Sequence, residues 1–518
     1  MAVIAIDAGT TGIRAFAVDR TGRPVARAYR EFTQHFPRPG HVEHDAEEIW
    51  ATTLEVLAEA SDLVDGQVDA IGITNQRETA VAWDAVTGVP RHRALVWQDR
   101  RTADRCAQLE DDGHLPRIRE ITGLVLDPYF SASKFEWLLT DGVVADADLR
   151  LGTVDSWILW NLTGGTDAAG AVHATDPSNA SRTMLYDLRA RAWSDEMCEL
   201  FGVPGSALAE IRPSAGSFGE TTAGNPVGAG VPIGGILGDQ QASLFGQACL
   251  SPGMAKNTYG TGSFILLNTG ETCPEPVDGL LTTVAWELPA AMLGTVDGAG
   301  SEPGTDTVTH YALEGAVFVT GAAVQWLRDG LELIADAAEV GPLAASVPDT
   351  GGVVIVPAFA GLGAPDWDPY ARGSIIGITR GTTRAHIARA VVESMALQTR
   401  DVVESMCAGT GIDIAELRVD GGAAAMDLLL QIQADQLGTT VLRSAVAETT
   451  ALGAAFIAGL GVGVWSDAAE LAGNWHADAR AEPSSDEEAR GHADALHAMW
   501  RRGVERSSGW ERPVGPSS

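Results

Sequence analysis

A strand, a glycine- and threonine-rich turn and further strands occur twice in this chain, roughly half the chain length apart. The first copy comprises an apolar strand at residues 2–6, the turn Asp7-Ala-Gly-Thr-Thr-Gly12 and strands at residues 14–18 and 24–28. The second copy comprises a strand at residues 253–258, the turn Tyr259-Gly-Thr-Gly-Ser263 and strands at residues 264–268 and 280–286. Such turns expose backbone N–H groups and hydroxyls to anions, although an ordinary hairpin turn has the same composition. The repeat predicts two related domains, each with one anion-binding turn at a shared cleft.

A third glycine turn, Val419-Asp-Gly-Gly-Ala423, follows a predicted strand and leads into a predicted helix at residues 426–437. A helix N-terminus that the chain enters through glycines is a favourable site for phosphate. Strands alternate with helices along the chain, which indicates sheets covered by helices, with ligands beyond the carboxyl ends of the strands. We therefore predict one domain at residues 1–246, a second at residues 247–500, and a flexible tail at residues 501–518.

Two buried strands of the first predicted domain end in polar residues. The strand at residues 70–74 leads into Asn75-Gln-Arg-Glu78, and the glycine-rich run at residues 231–237 leads into Gly238-Asp-Gln-Gln241. A carboxylate is seldom buried unless it is paired or binds a ligand. Asp239 therefore fits two roles, the N-cap of the following helix or a catalytic base or metal ligand at the cleft. The local sequence does not choose between them.

The charge balance argues against several classes of partner. A net charge of −34 makes nucleic acid and anionic membranes unexpected partners, because both require basic surface. The chain has no apolar run long enough for membrane insertion and no basic leader, which favours a cytoplasmic location. Its five cysteines are scattered without a paired spacing and indicate reduced thiols rather than a zinc site. The acidic, lysine-poor composition fits either a high-salt cytosol or a GC-rich genome.

The positions of the lysines exclude several common kinds of nucleotide-binding site. Lys134 and Lys256 are the only two, and neither stands in the Gly-Lys-Ser/Thr sequence of a Walker A loop. The glycine-rich loop and V-A-I-K lysine of protein kinases are also missing, as is the dinucleotide fingerprint. What remains is a phosphate site of threonine hydroxyls, backbone N–H groups and Asp-held magnesium. Phosphoryl transfer requires mainly that the reactants are positioned and the phosphate charge is neutralised. This set of groups therefore suffices for an ATP-dependent enzyme.

Longer strings carry a family resemblance. They are Asn75-Gln-Arg-Glu78, Asn179-Ala-Ser-Arg-Thr183, Gly238-Asp-Gln-Gln241, Tyr259-Gly-Thr-Gly262, Glu314-Gly-Ala-Val-Phe318, Gln325-Trp-Leu-Arg-Asp329, Gly361-Leu-Gly-Ala-Pro365 and Trp367-Asp-Pro-Tyr-Ala-Arg-Gly373. Together with the Asp7 turn and Asp420-Gly-Gly422, they resemble the FGGY carbohydrate kinases, and within them the members that phosphorylate glycerol. The resemblance runs from residue 2 to about residue 465. It implies an α/β fold of two actin-like (ribonuclease H-like) domains, each a mixed sheet flanked by helices, with a cleft between them.

The resemblance also implies a reaction and the residues that perform it. The reaction is phosphorylation of glycerol by ATP to sn-glycerol 3-phosphate, with Asp239 as the general base and with Asp7 and Asp239 facing Mg²⁺. The residues implied for glycerol are Arg77, Glu78, Tyr129, Asp239 and Gln240 for its hydroxyls and Trp97 and Phe264 for its carbon skeleton. Those implied for the nucleotide are Thr10, Thr11, Gly12, Arg14, Thr261, Gly321, Gln325, Gly422 and Met426. A homodimer or homotetramer is the assembly expected of such a kinase.

The chain departs from the family pattern at several positions. Ala8 replaces a Gln, Gly12-Ile13 replaces a Ser pair and so removes one phosphate-facing hydroxyl, and Met426-Asp427 replaces an Asn pair on the adenosine side. Met426 could still pack on the base. The loop at residues 221–231 has no Lys or Arg, which relatives that bind fructose 1,6-bisphosphate there possess, so we expect no inhibition at that site. Residues 287–306 look like an inserted surface loop.

Two alternative functions stay open. Another FGGY kinase would act on a pentulose, an erythritol-like polyol or gluconate. The combination of Arg77, Glu78 and Tyr129 favours glycerol, because a triol needs several fixed donors and acceptors. A protein of the actin type would bind ATP as a sensor or filament without catalysis, and the presence of both Asp7 and Asp239 argues against that function.

Overall fold

Two large β-sheets with flanking helices form the framework of the computed structural model, which describes residues 2–167, 170–294 and 307–512. In chain order the strands are β1 (Ala2–Ala8), β2 (Gly12–Val18), β3 (Pro24–Glu31), β4 (Gln34–His35), β5 (Glu43–His44), β6 (Val68–Asn75), β7 (Val81–Asp84), β8 (Ala94–Leu95), β9 (Leu149–Gly152), β10 (Ala174–Thr175), β11 (Tyr186–Asp187), β12 (Ala192–Trp193), β13 (Glu210–Ile211), β14 (Ile233–Gly238), β15 (Met254–Tyr259), β16 (Ser263–Gly270), β17 (Leu281–Pro289), β18 (Thr307–Val317), β19 (Val354–Val356), β20 (Ser374–Ile376), β21 (Glu416–Gly421), β22 (Val441–Ser444) and β23 (Ala477–Ala481). The α-helices are α1 (Ala46–Leu63), α2 (Ala103–Asp111), α3 (Leu115–Thr122), α4 (Ser131–Thr140), α5 (Val154–Leu162), α6 (Pro177–Ala180), α7 (Asp195–Leu200), α8 (Asp239–Gly246), α9 (Gly321–Gln325), α10 (Val340–Ala345), α11 (Arg384–Thr410), α12 (Asp427–Leu437), α13 (Thr449–Gly461), α14 (Ala468–Asn474) and α15 (Glu487–Ser507).

The two large sheets repeat one topology. The first has the strand order β3-β2-β1-β6-β14, in which β1 to β3 are antiparallel and β6 and β14 run parallel to β1. The second contains the same arrangement in β18-β16-β15-β21-β22, with β17 and β23 added at its edges. The central strands are apolar and buried on both faces, as parallel strands covered by helices must be. The repeat in the sequence is therefore a repeat of a five-stranded unit.

The second copy differs from its sequence prediction in one strand. The neighbour of β16 is β18, whereas the strand predicted at residues 280–286 is β17, which lies beyond β18 at the edge. The local pattern identifies strands, but their order depends on partners that are distant in the chain. Of the segment expected to be an inserted loop, residues 287–289 complete β17, and residues 295–306 lie outside the described residues.

Helix α13 joins the two halves of the chain. It follows β22 of the second sheet in sequence but packs on the first sheet. A Cβ atom on Gly72 of β6 would lie 2.0 Å from the Ala454 carbonyl oxygen, and one on Gly234 of β14 would lie 2.3 Å from that of Ala458. The helix contains no charged residue, as expected for a helix buried on all sides. A helix from beyond the predicted boundary at residue 247 therefore packs on the sheet of the first predicted domain.

The C-terminal segment is ordered further than the sequence suggests. Helix α15 continues to Ser507, so a flexible tail does not begin at residue 501. Trp500 and Val504 of this helix are buried in one apolar cluster with Val354 and Val356 of β19, which explains why the helix continues. Residues 513–518 lie outside the described residues. Within the described part of the chain, no helix combines the length and apolarity needed to cross a membrane.

Candidate active site

Asp239 and Arg77 meet where two neighbouring parallel strands end. The last residues of β6 and β14, Asn75 and Gly238, are register partners. Just beyond them, Arg77 Nε lies 3.0 Å from Asp239 Oδ1. Gly238 is the N-cap of α8, and Asp239 Oδ1 accepts the backbone N–H of Gln240 at 2.7 Å. The N-cap alternative for Asp239 is therefore wrong, and its side chain is still 29% exposed.

Arg77 belongs to a buried cluster of two arginines and two glutamates, whose other members are Arg182, Glu78 and Glu314. Arg77 donates to the Glu314 carboxylate twice, from Nη1 to Oε2 at 2.5 Å and from Nη2 to Oε1 at 3.1 Å. Arg182 bridges the two acids, with Nε 2.7 Å from Glu78 Oε1 and Nη2 3.0 Å from Glu314 Oε1. All four side chains are at most 2% exposed. Because buried charges must be paired, this balance of two positive and two negative groups keeps the cluster stable.

The two acids of the cluster differ in their pKa. Burial opposes ionisation of Glu314, yet the guanidiniums of Arg182 and Arg77 outweigh it and lower the pKa of Glu314 to about 2. For Glu78 the burial effect prevails over the same two arginines and raises the pKa. The backbone of Glu78 has a φ of 63°, a strained conformation that occurs often at functional sites. Glu314 is thus the fixed anion that orients both arginines.

Aromatic side chains connect this cluster to the first glycine turn. Arg77 Nη2 donates to Tyr129 Oη at 3.4 Å, and the rings of Tyr129 and Trp97 meet edge to face with centroids 5.5 Å apart. Trp97 Nε1 donates to Thr10 Oγ1 at 2.9 Å. Lys134 Nζ donates to the carbonyl of Tyr129 at 2.7 Å and to the carbonyls of Pro128 and Phe130 at 2.8 Å. These bonds fix the segment that carries Tyr129. A continuous chain of contacts therefore runs from Arg77 to the predicted phosphate turn.

Gln240 is held by the second sheet. Lys256 Nζ on β15 donates to Gln240 Oε1 at 2.5 Å and to Thr258 Oγ1 at 3.0 Å. Burial lowers the pKa of Lys256 to about 8, and nearby carboxylates oppose this shift. Phe264 on β16 stands in register with Thr258 and packs against the apolar cluster between the sheets. Among the described residues, Trp97 makes its ring contact with Tyr129 and not with Phe264.

Asp7 lies in the first sheet beside a cation. It is the register partner of Arg14 on β2, whose Nη1 is 3.0 Å from Asp7 Oδ2. Burial raises the pKa of Asp7 to about 6, Arg14 opposes the shift, and the negative charge of Asp239 adds to it. A carboxylate whose ionisation is opposed by a neighbouring negative charge would gain from a cation between the two. Among the described residues no group of three or more metal-ligating side chains occurs, so a divalent ion here would depend on phosphate and water for its other ligands, as Mg²⁺ does.

A cavity of about 710 Å³ lies on the second sheet, against α9, α10 and α12. Its volume is in the range of small-molecule sites. The predicted nucleotide residues that line it are Thr261, Gly321, Gln325, Gly422 and Met426. The others belong to the turn and strands of the first sheet, outside this cavity, and are Thr10, Thr11, Gly12 and Arg14. The predicted nucleotide set therefore divides into two groups, one on each sheet.

Glycines bring the backbone turns together at this cavity. A Cβ atom on Gly321 would lie 2.4 Å from the Gly260 carbonyl oxygen, to which the Gly321 N–H donates at 3.0 Å. Gly421 has a φ of 86°, in the left-handed region that favours glycine. Met426 packs beside Gly341, where an added Cβ would meet Met426 Cγ at 3.3 Å. Backbone atoms form this wall of the cavity. Met426 stands where the family pattern has the side-chain amide of an Asn.

Arg182, Glu314 and Lys256 belong to the site although no sequence prediction gives them a role. All three are buried charges. Glu314 stands in the otherwise apolar run of residues 311–317, and Lys256 is one of two lysines in the chain. A charge inside a strand of the core is the signal that could have identified Glu314 on β18 and Lys256 on β15, whereas Arg182 lies in the turn after α6 and gives no such signal.

Comparison with known proteins places these features in a family. The model of the N-terminal domain of the FGGY family of carbohydrate kinases matches residues 2–246, and the model of the C-terminal domain matches residues 255–462. The chain belongs to the FGGY family of carbohydrate kinases. The glycerol kinase of Bordetella parapertussis is 52% identical to this FGGY kinase over 99% of this chain and 98% of its own. Glycerol kinase 2 of Thermotoga maritima is 51% identical over 98% of this chain and 99% of its own.

Solved structures confirm the predicted architecture. The crystal structure of Plasmodium falciparum glycerol kinase with ADP has a TM-score of 0.88 at 33% identity and 98% coverage of both chains. Gluconate kinase from Lactobacillus acidophilus has a TM-score of 0.84 at 20% identity and 98% coverage of both chains, a likeness of fold. The two-domain α/β fold of this FGGY kinase, with mixed sheets flanked by helices, is thus confirmed.

Proposed function

We propose that this FGGY kinase transfers the γ-phosphoryl group of ATP to a primary hydroxyl of glycerol, giving sn-glycerol 3-phosphate and ADP. The observation that carries the proposal is the partly exposed carboxylate of Asp239, fixed by Arg77 at the end of a buried charge cluster. Relatives about half identical over nearly the whole chain are named glycerol kinases, which supports glycerol as the acceptor. The ADP named with the Plasmodium enzyme supports an adenine nucleotide as the donor.

Asp239 acts as the general base. The Gln240 N–H donates to Asp239 Oδ1, and Arg77 Nε lies at ion-pair distance, 3.0 Å, from the same oxygen, which leaves Oδ2 to receive a proton. The glycerol hydroxyl transfers its proton to Oδ2 while its oxygen forms a bond to the γ-phosphorus. The bond from that phosphorus to the oxygen bridging to the β-phosphate breaks, and ADP leaves with this oxygen. Positioned base catalysis of this kind contributes roughly 10²–10⁴-fold to the rate.

The other polar groups fix glycerol before the transfer. Glu78 offers a carboxylate, Tyr129 a hydroxyl, and Gln240 an amide whose oxygen is held by Lys256. The guanidinium of Arg77 cannot turn away, because Glu314 holds both of its terminal nitrogens. Polar groups fixed in this way reject ligands that leave them unpaired, which favours a small triol. In this proposal Trp97 and Phe264 border the carbon skeleton.

The nucleotide spans the two groups of predicted residues. Its base and ribose occupy the cavity lined by Thr261, Gly321, Gln325, Gly422 and Met426. The phosphates reach the turn of the first sheet, at Thr10, Thr11, Gly12 and Arg14. Asp7 and Asp239 would hold Mg²⁺, which supplies charge neutralisation of the phosphates when bound. The effect of the Asp239 charge on the pKa of Asp7 supports this placement.

The test is a coupled ADP-release assay with purified protein. Glycerol, dihydroxyacetone, erythritol, xylulose and gluconate are compared as acceptors, and the product is identified with glycerol-3-phosphate dehydrogenase. We expect the kcat/KM for glycerol to exceed that for each larger acceptor by at least roughly 10². Preference for xylulose or gluconate would select another FGGY activity instead. ATP turnover that does not depend on a polyol, or no turnover, would favour the non-catalytic actin-type alternative.

The assembly stays a prediction from the resemblance, and the location stays a prediction from the sequence. We propose a homodimer or homotetramer in the cytoplasm. Light scattering coupled to size-exclusion chromatography tests the assembly, and a monomer at micromolar concentration would contradict it.

A further inference from the structure

A tyrosine outside the predicted set lies at the first glycine turn. Strands β1, β2 and β3 place Asp7 opposite Arg14 and Arg14 opposite Tyr29. The three residues therefore form a row across the sheet. Arg14 Nη1 is 3.0 Å from Asp7 Oδ2, and the Arg14 guanidinium carbon lies 5.7 Å from the centre of the Tyr29 ring. The ring thus holds Arg14 from the side opposite Asp7, at a distance typical of a cation–π contact.

The Tyr29 hydroxyl occupies the space that a side chain at position 12 would need. A Cβ atom on Gly12 would lie 2.4 Å from the Arg30 carbonyl oxygen, 2.7 Å from Tyr29 Oη and 2.8 Å from Tyr29 Cε2. Tyr29 Oη is also 3.4 Å from Thr11 Oγ1. The turn carries no side chain at Gly12, and the phenol reaches over it from the neighbouring strand. A hydroxyl is therefore present beside Thr11, although the sequence of the turn does not supply it.

We propose that the Tyr29 hydroxyl binds the terminal phosphates of the nucleotide and that its ring positions Arg14 for the same phosphates. This inference rests on the proposed function, in which the turn between β1 and β2 receives phosphate. Tyr29 is 42% exposed, so its hydroxyl is accessible to a ligand. A phenol O–H donated to a phosphate oxygen is a charge-assisted hydrogen bond, stronger than a bond between neutral groups. The phenol thus lies over Gly12, a turn position that has no side chain of its own, and beside the hydroxyl of Thr11.

The experiment measures nucleotide affinity by isothermal titration calorimetry, with ATP, ADP and adenosine as ligands in the presence of Mg²⁺. Tyr29→Phe removes only the hydroxyl, and Tyr29→Leu removes the ring as well. Tyr370→Phe is the matched control, because Tyr370 is 45% exposed and its ring lies 5.7 Å from the guanidinium carbon of Arg512. Tyr370 thus has the same exposure and the same cationic neighbour, but it lies in a loop of the other half of the chain.

We expect Tyr29→Phe to weaken ATP and ADP binding about tenfold, the effect of losing one hydrogen bond to a charged group. Tyr29→Leu should weaken it further, because Arg14 then loses its support. Adenosine binding should stay within about twofold of wild type for every variant, because adenosine has no phosphate that could lose a contact with Tyr29 or Arg14. Tyr370→Phe should bind all three ligands as wild type does.

The inference is overturned if Tyr29→Phe binds ATP as wild type does. It is equally overturned if adenosine loses as much affinity as ATP, because the effect would then be structural. Wild-type protein that binds ATP but does not phosphorylate glycerol would refute the proposed substrate and leave the Tyr29 comparison decisive. Wild-type protein that binds no ATP would refute both proposals.

Discussion

Glu314→Gln tests the buried charge cluster and should destabilise the protein by about 3 kcal/mol. Glu314 is fully buried and accepts bonds from Arg77 and Arg182. Burial opposes its ionisation, but the two guanidiniums lower its pKa from 4.5 to about 2. A carboxyl with that difference between the unfolded and folded states stabilises the fold at neutral pH by about 3 kcal/mol. The value agrees with the roughly 3–5 kcal/mol lost when one partner of a buried ion pair is removed.

Thermal unfolding followed by tryptophan fluorescence measures this effect. For domains of this size a loss of about 3 kcal/mol lowers the Tm by roughly 6–12 °C. Glu404→Gln is the matched control. Glu404 also accepts from an arginine, Arg400 Nε at 2.6 Å, but its side chain is 51% exposed. An exposed pair of this kind contributes at most about 1 kcal/mol, so the control should shift the Tm by less than about 4 °C.

The pH dependence of the Glu314→Gln effect gives a second test. Because the pKa of Glu314 is lower in the folded state, its contribution is complete above pH 4.5 and is lost as the pH falls towards 2. The Tm difference between wild type and variant should therefore stay constant from pH 8 to pH 5 and shrink below pH 4.5.

Two results would refute this reasoning. One is a Tm shift for Glu314→Gln no larger than that of Glu404→Gln, which would mean that the buried carboxylate does not stabilise the two arginines. The other is a difference that widens on acidification, which would mean that Glu314 is protonated in the folded protein at neutral pH.

Three further predictions address the site. Asp239→Asn should lower kcat by roughly 10²–10⁴ while calorimetry shows unchanged ATP binding, and near-normal kcat would remove the base assignment. Lys256→Met removes the donor that holds Gln240 and should raise the KM for glycerol about tenfold with a smaller effect on the KM for ATP; an unchanged glycerol KM would contradict that role. Fructose 1,6-bisphosphate should not inhibit, because residues 221–231 offer no Lys or Arg, and inhibition abolished by mutations in this loop would show the opposite.

Much of the secondary structure could be predicted because its signals are local. The apolar runs and glycine turns around Asp7, Tyr259 and Asp420 place β1, β15 and β21 within a few residues of their observed ends. The turns on the second sheet do line one cavity, since each follows the end of a strand in the same sheet. Strand order was not predictable in the same way. Strand β18 lies between β16 and β17 because of pairing with partners on both sides, which no local pattern records.

The sequence by itself determined the repeated unit, the glycine turns that we predict to bind phosphate, the absence of a Walker lysine and the family resemblance. Only the tertiary structure decided the role open to Asp239. Gly238, and not Asp239, is the N-cap of α8. Asp239 Oδ1 lies 3.0 Å from Arg77 Nε. Arg77 is in turn fixed by Glu314, 237 residues further along the chain. Electrostatic interactions act through space in a medium from which water is excluded, so the charge partners of a buried group depend on packing and not on proximity in the sequence.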